Sequence, residues 1–192
     1  MSPLTPEDFA VPSIPEIGDR RKDKIHLAAG RAIHQWEYVE QHLGSLFGIL
    51  LGTVIPMGAL RVYGATTGFS VRQQMLMQAA EVLFHYNAND DLHTEFLRIV
   101  KRIGDPASGR RNDIAHGLVI GEHRHDRMHY FLVPSYHSAR KRDFDSTPAY
   151  QYTSKEIEDF RNKYRLLSGD IHRLGVAISD WRATWPKKRR EQ

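Results

Sequence analysis

The sequence contains no cysteine. This absence excludes a disulfide scaffold, cysteine-ligated zinc, iron–sulfur clusters and a thiol nucleophile. It fits a reducing compartment, and we expect a cytoplasmic protein. The glycine-rich patterns of P-loop, dinucleotide-binding and nucleophile-elbow enzymes are absent as well. Residues 1–19 lack the apolar stretch of a signal peptide, so we expect none.

One uncharged run, residues 43–60, has to be considered as a membrane span. Its glycines follow a G-x-x-x-G-x-x-x-G pattern that lets helices approach closely, namely Gly44, Gly48 and Gly52. Pro56 interrupts the run, and a membrane-spanning helix needs about 20 apolar residues. We therefore expect no membrane association. The glycines predict tight packing in a soluble protein, with a dimer interface as one option.

Acidic and basic residues are nearly balanced. Lys and Arg number 27 against 23 Asp and Glu, which gives a formal net charge of +4. This excess is compatible with an anionic partner, although many ordinary proteins reach it. The chain has 192 residues, 41% of them hydrophobic, which is enough to bury the core of one domain with appendages.

Helical periodicity accounts for most of the chain. Apolar side chains alternate in steps of three and four over residues 157–185, and residues 25–50 repeat the pattern. Two shorter helices are expected between them, around residues 71–86 and 92–103. The stripe of the first of these consists of Val71, Met75, Ala79, Val82 and Tyr86. Two capping boxes are expected, Ser70 with Gln73 and Thr153 with Glu156.

Two strand-like runs, residues 118–122 and 128–134, predict a β-hairpin that is joined by the polar residues 123–127. The expected fold class is therefore all-α, a bundle of four to five helices with a β-hairpin inserted before the last long helix.

The domain organisation follows from these elements. The bundle covers residues 20–185, with residues 118–152 as the hairpin and loop insertion. Residues 1–19 form a proline-rich N-terminal arm that is either disordered or lies on a partner, because proline disfavours helix. Residues 186–192 form a basic tail.

The most specific motif is R-R-N-D-I-A-H-G at residues 110–117. On a helical wheel Arg111 shares the apolar side with Ile114, while Asn112 and His116 form an adjacent ridge because they are four residues apart. Burying a cation without a partner costs several kcal/mol, so an anion should meet Arg111.

The anion that meets Arg111 can be internal or external. Glu40 is the carboxylate best placed by pattern, Glu81 is a second choice, and a phosphate is the external alternative. Asp113 is predicted to point away from the apolar side.

The R-N-x-x-x-H form of Arg111, Asn112 and His116, followed by Gly117, resembles the signature of the HEPN superfamily. In architecture the resemblance spans roughly residues 20–185. It implies a metal-independent ribonuclease, often active as a dimer that brings two motifs to one composite site. Other members are non-catalytic RNA- or nucleotide-binding modules. Many act in toxin–antitoxin or antiphage defence systems, which makes a homodimer, RNA and a cognate antitoxin the expected partners.

The residue types suit cleavage of single-stranded RNA without a metal. Histidine can exchange protons near neutral pH, so His116 is the expected general acid or base. Arg111 is expected to stabilise the charge that grows on the phosphorus, and Asn112 to position the phosphate or the imidazole. Glu40 is expected to contact Arg111 rather than the RNA itself. The expected RNA-backbone contacts are Arg110, Arg140, Lys141 and Arg142.

Two other interpretations stay open. In one, the same groove binds RNA, a nucleotide or a partner helix without catalysis. In the other, the protein is a structural dimer in which Arg111 pairs internally with Glu40. Neither a cofactor nor a metal is expected, because no acid or thiol completes a metal site around the hairpin histidines. Those histidines are His123, His125, His129 and His137.

Overall fold

The computed structural model describes residues 4–135 and 147–185, so Arg140, Lys141, Arg142, His137 and the basic tail lie outside the described residues. The described part is mostly helical, with a small antiparallel hairpin before the last helix, which confirms the general class predicted. The α-helices are α1 (Lys22–Leu51), α2 (Pro56–Gly64), α3 (Phe69–Tyr86), α4 (Asp90–Arg102), α5 (Gly109–His116) and α6 (Ser154–Ala183). The strands are β1 (Leu118–Arg124) and β2 (Arg127–Val133), and shorter turns are the 3₁₀ helix Pro6–Phe9 and the π-helical stretch Ile103–Ser108.

The chain divides into two compact units. The first unit comprises residues 1–39 and 101–168, and the second comprises residues 40–100 and 169–192. Each unit has its own buried apolar side chains. Those of the first include Trp36, Phe131 and Tyr164, and those of the second include Leu46, Leu76 and Phe96.

The N-terminal arm belongs to the first unit. Phe9 is buried and stacks on Tyr164 with ring centroids 6.1 Å apart. Asp19 pairs with β2 through two backbone hydrogen bonds to Tyr130, with N···O distances of 3.0 and 2.8 Å. Its carboxylate accepts hydrogen bonds from the backbone N (2.6 Å) and Oγ (2.8 Å) of Ser154, at the start of α6. The arm thus contacts its own chain through Phe9 and Asp19, where the sequence predicted a disordered arm or one lying on a partner.

The hairpin turn is tighter than expected. His125 and Asp126 have φ values of 50° and 59°, so the strands are joined by a two-residue turn of the type that suits twisted strands. The predicted five-residue connection is wrong because β1 continues to Arg124 and β2 begins at Arg127. His129 on β2 is buried, and its Nδ1 lies 3.1 Å from both the N and the O of Gly18.

Of the two predicted capping boxes, the one before α6 is formed in part. The Thr153 backbone N donates to the Glu156 carboxylate at 2.7 Å. The one before α3 is wrong, since α3 begins at Phe69 after Gly68 and has no side-chain cap. The Gln73 side chain donates instead to the Val100 carbonyl at 3.4 Å.

The glycine pattern packs α2 against α1 within the second unit. A Cβ on Gly44 would lie 2.8 Å from Leu60, and one on Gly48 would lie 3.1 Å from the Cβ of Ala59. Gly52 has a φ of +67° and follows the end of α1. These small residues therefore serve an internal helix contact. Within residues 4–135 and 147–185, no helix is long and apolar enough to cross a membrane.

Candidate functional site

The R-N-x-x-x-H motif lies on α5 in the first unit, as the sequence predicts. The π-helical stretch before it contains a non-helical residue, Gly104, with φ −52° and ψ −142°. The Ser108 Oγ donates to the Gly104 carbonyl at 2.7 Å and closes this bend. At the other end α5 passes directly into β1. A Cβ on Gly117 would lie 2.8 Å from the Asp113 carbonyl oxygen, so the close approach at this junction needs glycine.

The buried centre of α5 is Asp113. Its carboxylate accepts a hydrogen bond from the Tyr152 hydroxyl at 3.1 Å and pairs with Arg110 at 2.9 Å. The Tyr150 hydroxyl donates to the Asp113 backbone oxygen at 3.0 Å, and the two tyrosine rings stack with centroids 4.7 Å apart. The prediction that Asp113 points away from the core is therefore wrong. The acidic partner of the buried cation is three residues further along the same helix.

Arg110 takes the inward position that was predicted for Arg111. Its side chain is largely buried and its guanidinium is engaged with Asp113. Arg110 was predicted to contact RNA, and in the structure its charge is turned toward an internal carboxylate.

Arg111 is half-buried, and no carboxylate among the described residues of the first unit lies within 4.0 Å of it. Its Nη1 donates to Asn112 Oδ1 at 3.1 Å, while its Nε is buried and has no hydrogen-bond partner among the described residues. The expected supporting residue, Glu40, is in the second unit and pairs with Arg72 at 3.0 Å. Glu81 accepts a hydrogen bond from Gln78. Within its own unit each of these two residues has another contact, Arg111 with Asn112 and Glu40 with Arg72.

Asn112 and His116 are exposed, one helical turn apart on the outer side of α5. Arg111 reaches the same surface through its contact with Asn112. These three side chains can therefore meet a solvent-borne anion, with a cation, an amide and an imidazole available to it. Across residues 4–135 and 147–185, no group of three or more His, Asp or Glu side chains is arranged to hold a metal ion.

Sequence reasoning missed the inner polar cluster, which consists of Arg110, Asp113, Tyr150 and Tyr152. Two signals for it were available. The R-x-x-D spacing places an acid one turn after an arginine, and Y-x-Y places two rings on one side of an extended segment.

The two tyrosines of this cluster and a third tyrosine are buried, and burial raises the pKa of each well above its usual range. They are Tyr150, Tyr152 and Tyr164. The charge of Asp113 adds to the rise in pKa for each of them, and Arg110 opposes it. The Tyr164 hydroxyl is buried, and no residue in the described ranges forms a hydrogen bond with it.

These shifts predict loss of stability at high pH. A tyrosine in the unfolded chain ionises near pH 10, while the buried phenols stay protonated. A raised folded pKa contributes stability that is complete below about pH 10 and is lost as the pH rises above it. We expect the urea midpoint to fall above about pH 10, with phenolate absorbance from these residues appearing together with unfolding. If phenolate absorbance from all three instead appeared while the fold stayed intact, the burial of these residues would be contradicted.

The chain matches no family model, no curated protein and no solved structure.

Proposed function

We propose that the protein is a metal-independent endoribonuclease of HEPN type, which cleaves single-stranded RNA at the α5 motif as a dimer. The observation that carries this proposal is the display of Asn112 and His116 one turn apart, beside an Arg111 that has no carboxylate partner among the described residues of the first unit. A scaffold arginine would be expected to meet an internal acid, as Arg110 does.

The reaction we propose uses the RNA's own 2′-hydroxyl as the nucleophile. A histidine takes the 2′-hydroxyl proton, the 2′-oxygen bonds to phosphorus, and the bond from phosphorus to the 5′-oxygen breaks as that oxygen receives a proton. Arg111 stabilises the extra negative charge on the phosphoryl oxygens, and Asn112 holds the phosphate. One imidazole from each copy of the chain would supply the base and the acid, so His116 acts twice in a symmetric dimer.

The decisive experiment is RNA cleavage by the purified full chain in the presence of a chelator. His116→Ala and Arg111→Ala should each lower the rate by at least about a hundredfold, since general acid–base catalysis contributes about 10²–10⁴. The products should carry a 2′,3′-cyclic phosphate and a 5′-hydroxyl. His26→Ala is the matched control, because His26 is an exposed histidine on α1 of the same unit, away from the motif in sequence. Cleavage that survives His116→Ala unchanged would overturn the proposal.

A second candidate is a non-catalytic module that binds RNA or a nucleotide through the same surface. The observation that favours it is that the His116 ring has no hydrogen-bond partner in the described residues, whereas a catalytic histidine is normally held by a third group. Wild-type protein that binds RNA but leaves it intact, with binding lost on Arg111→Ala, would support this candidate.

A further inference from the structure

Helix α3 carries two apolar faces, and the described residues cover only one of them. Leu76, Ala80, Leu83 and Phe84 are buried in the second unit. On the other face the side chains of Val71, Val82 and Tyr86 are 46%, 60% and 78% exposed. Together with Met75 and Gln78 they form a stripe at spacings of four, three, four and four residues, which we call the α3 stripe.

The α3 stripe borders an apolar groove of about 550 Å³, which also lies in the second unit. Its walls come from α1, α3, the end of α6 and the residues just after α6, and include Phe47, Leu50, Val82 and Trp185. The one charged residue among its lining is Arg182, whose guanidinium donates to the Ile49 carbonyl at 2.8 Å and lies over the Trp185 ring. The surface is therefore continuous, apolar and close to neutral.

We propose that the α3 stripe is the contact through which two copies of this chain associate, with the two α3 helices antiparallel about a two-fold axis beside Gln78. When two copies of α3 are aligned antiparallel, the residues of one stripe lie opposite those of the other. Pairing around the midpoint between residues 78 and 79 sets Val71 against Tyr86 of the second copy and Met75 against Val82. A contact that pairs each residue with its counterpart in reverse order is what a two-fold interface requires.

Gln78 of the stripe, and the polar residues Gln74 and Glu81 of the same helix, fit this arrangement. Gln78 lies at the axis, where a side-chain amide can both donate to and accept from its symmetry mate. In this register residue 76 lies opposite Glu81 of the second copy. Gln74 is two residues away from that position, about 3 Å along the helix, which is within reach of a hydrogen bond to that Glu81. The chain carries a net charge of +4, so two copies repel through most of their surface, and a neutral face is where they can meet.

The size of the surface suits a dimer of moderate affinity. The stripe extends over about 22 Å of helix at 1.5 Å per residue. Standard interfaces use about 20–30 residues on each side. The twelve residues that line the groove, together with Val71 and the exposed Ile55, provide about half to two-thirds of that number. We therefore expect a dissociation constant in the micromolar range, about the value of a small interface.

The inference is tested by sedimentation velocity of the full chain over a range of concentrations, without RNA. Wild type should dimerise, and Val82→Glu should raise the dissociation constant at least about tenfold, because it buries a carboxylate against an apolar surface. Val82 is exposed, so the variant should keep its melting temperature. Val176→Glu is the matched control, since Val176 is an exposed valine of the second unit on α6 and should leave association unchanged.

The register is tested by disulfide formation, which the absence of native cysteine makes specific. Gln78→Cys should give a covalent dimer on mild oxidation, because the two Cα atoms near the axis come within bonding range. Val176→Cys should stay monomeric on a denaturing gel. A monomeric wild type, a Val82→Glu dimer as tight as wild type, or absence of the Gln78→Cys cross-link would overturn the inference. This inference rests on the dimer of the ribonuclease proposal, so a monomeric wild type would contradict both. A wild-type dimer that Val82→Glu leaves as tight, or that Gln78→Cys fails to cross-link, would overturn the α3 contact alone.

Discussion

Replacing Asp113 with alanine should lower the free energy of unfolding by about 3–5 kcal/mol, as expected when one partner of a buried ion pair is removed. The substitution would leave the Arg110 guanidinium buried without its carboxylate partner and would also remove the acceptor of the Tyr152 hydroxyl. Each buried donor left without a partner adds a desolvation cost. Urea denaturation followed by circular dichroism measures the change.

A matched control separates the burial of Asp113 from its charge. Asp159→Ala breaks the ion pair with Lys163 on the surface of α6, where the aspartate is mostly exposed, and should cost less than about 1 kcal/mol. Asp113→Asn keeps the shape and an acceptor for Tyr152 but loses the negative charge, so its effect should lie between the two. If Asp113→Ala proved no more damaging than Asp159→Ala, the buried cluster would not anchor α5.

The cluster also explains how the short helix α5 can pack into the first unit on one side and present polar side chains to solvent on the other. The inner side of α5 is held by Asp113 and Arg110, while Asn112 and His116 face solvent. Arg110 and Arg111 are consecutive, so their side chains leave the helix in directions that differ by about 100°. Of this adjacent pair, Arg110 meets the internal acid, and Arg111 is the one that we propose meets a ligand.

The long helices were predictable because their information is local. Apolar seams at steps of three and four identify α1 and α6 from any part of their length, and Trp36 and Phe160 are buried as that pattern requires. The orientation of α5 was not predictable in this way. Its phase is set by the bend at Gly104, and the burial of Asp113 depends on tyrosines 37 and 39 residues further along the chain.

Helix α3 and the arm show two other limits of a local pattern. The stripe through Val71 and Val82 identifies a helix, but periodicity does not tell which of two apolar faces the chain will cover. The prolines of the arm correctly disfavour a long helix, yet its place beside β2 depends on a pairing between Asp19 and Tyr130 that only the folded chain brings together.

Gly18→Ala should detach the N-terminal arm and cost about 2–4 kcal/mol of stability. A Cβ at this position would lie 2.6 Å from both the Tyr130 carbonyl oxygen and the Phe131 ring. The oxygen belongs to the backbone of β2, so the arm has to move away. That movement breaks the paired hydrogen bonds of Asp19 with Tyr130, at about 0.5–1.5 kcal/mol each. It also removes the Asp19 cap on Ser154, at about 0.5–2 kcal/mol.

Gly30→Ala provides the comparison for this variant. Gly30 lies within α1, and a Cβ there would have nothing within 4 Å, so alanine should raise stability by up to about 1 kcal/mol through its higher helix propensity. Limited proteolysis adds a local readout, because a released arm offers exposed backbone that the docked arm protects. Gly18→Ala should therefore be cut first within residues 4–19, at protease concentrations that leave Gly30→Ala intact. Equal melting temperatures and equal protection of the arm in the two variants would show that the arm's contact with β2 tolerates a Cβ and contributes little to the fold.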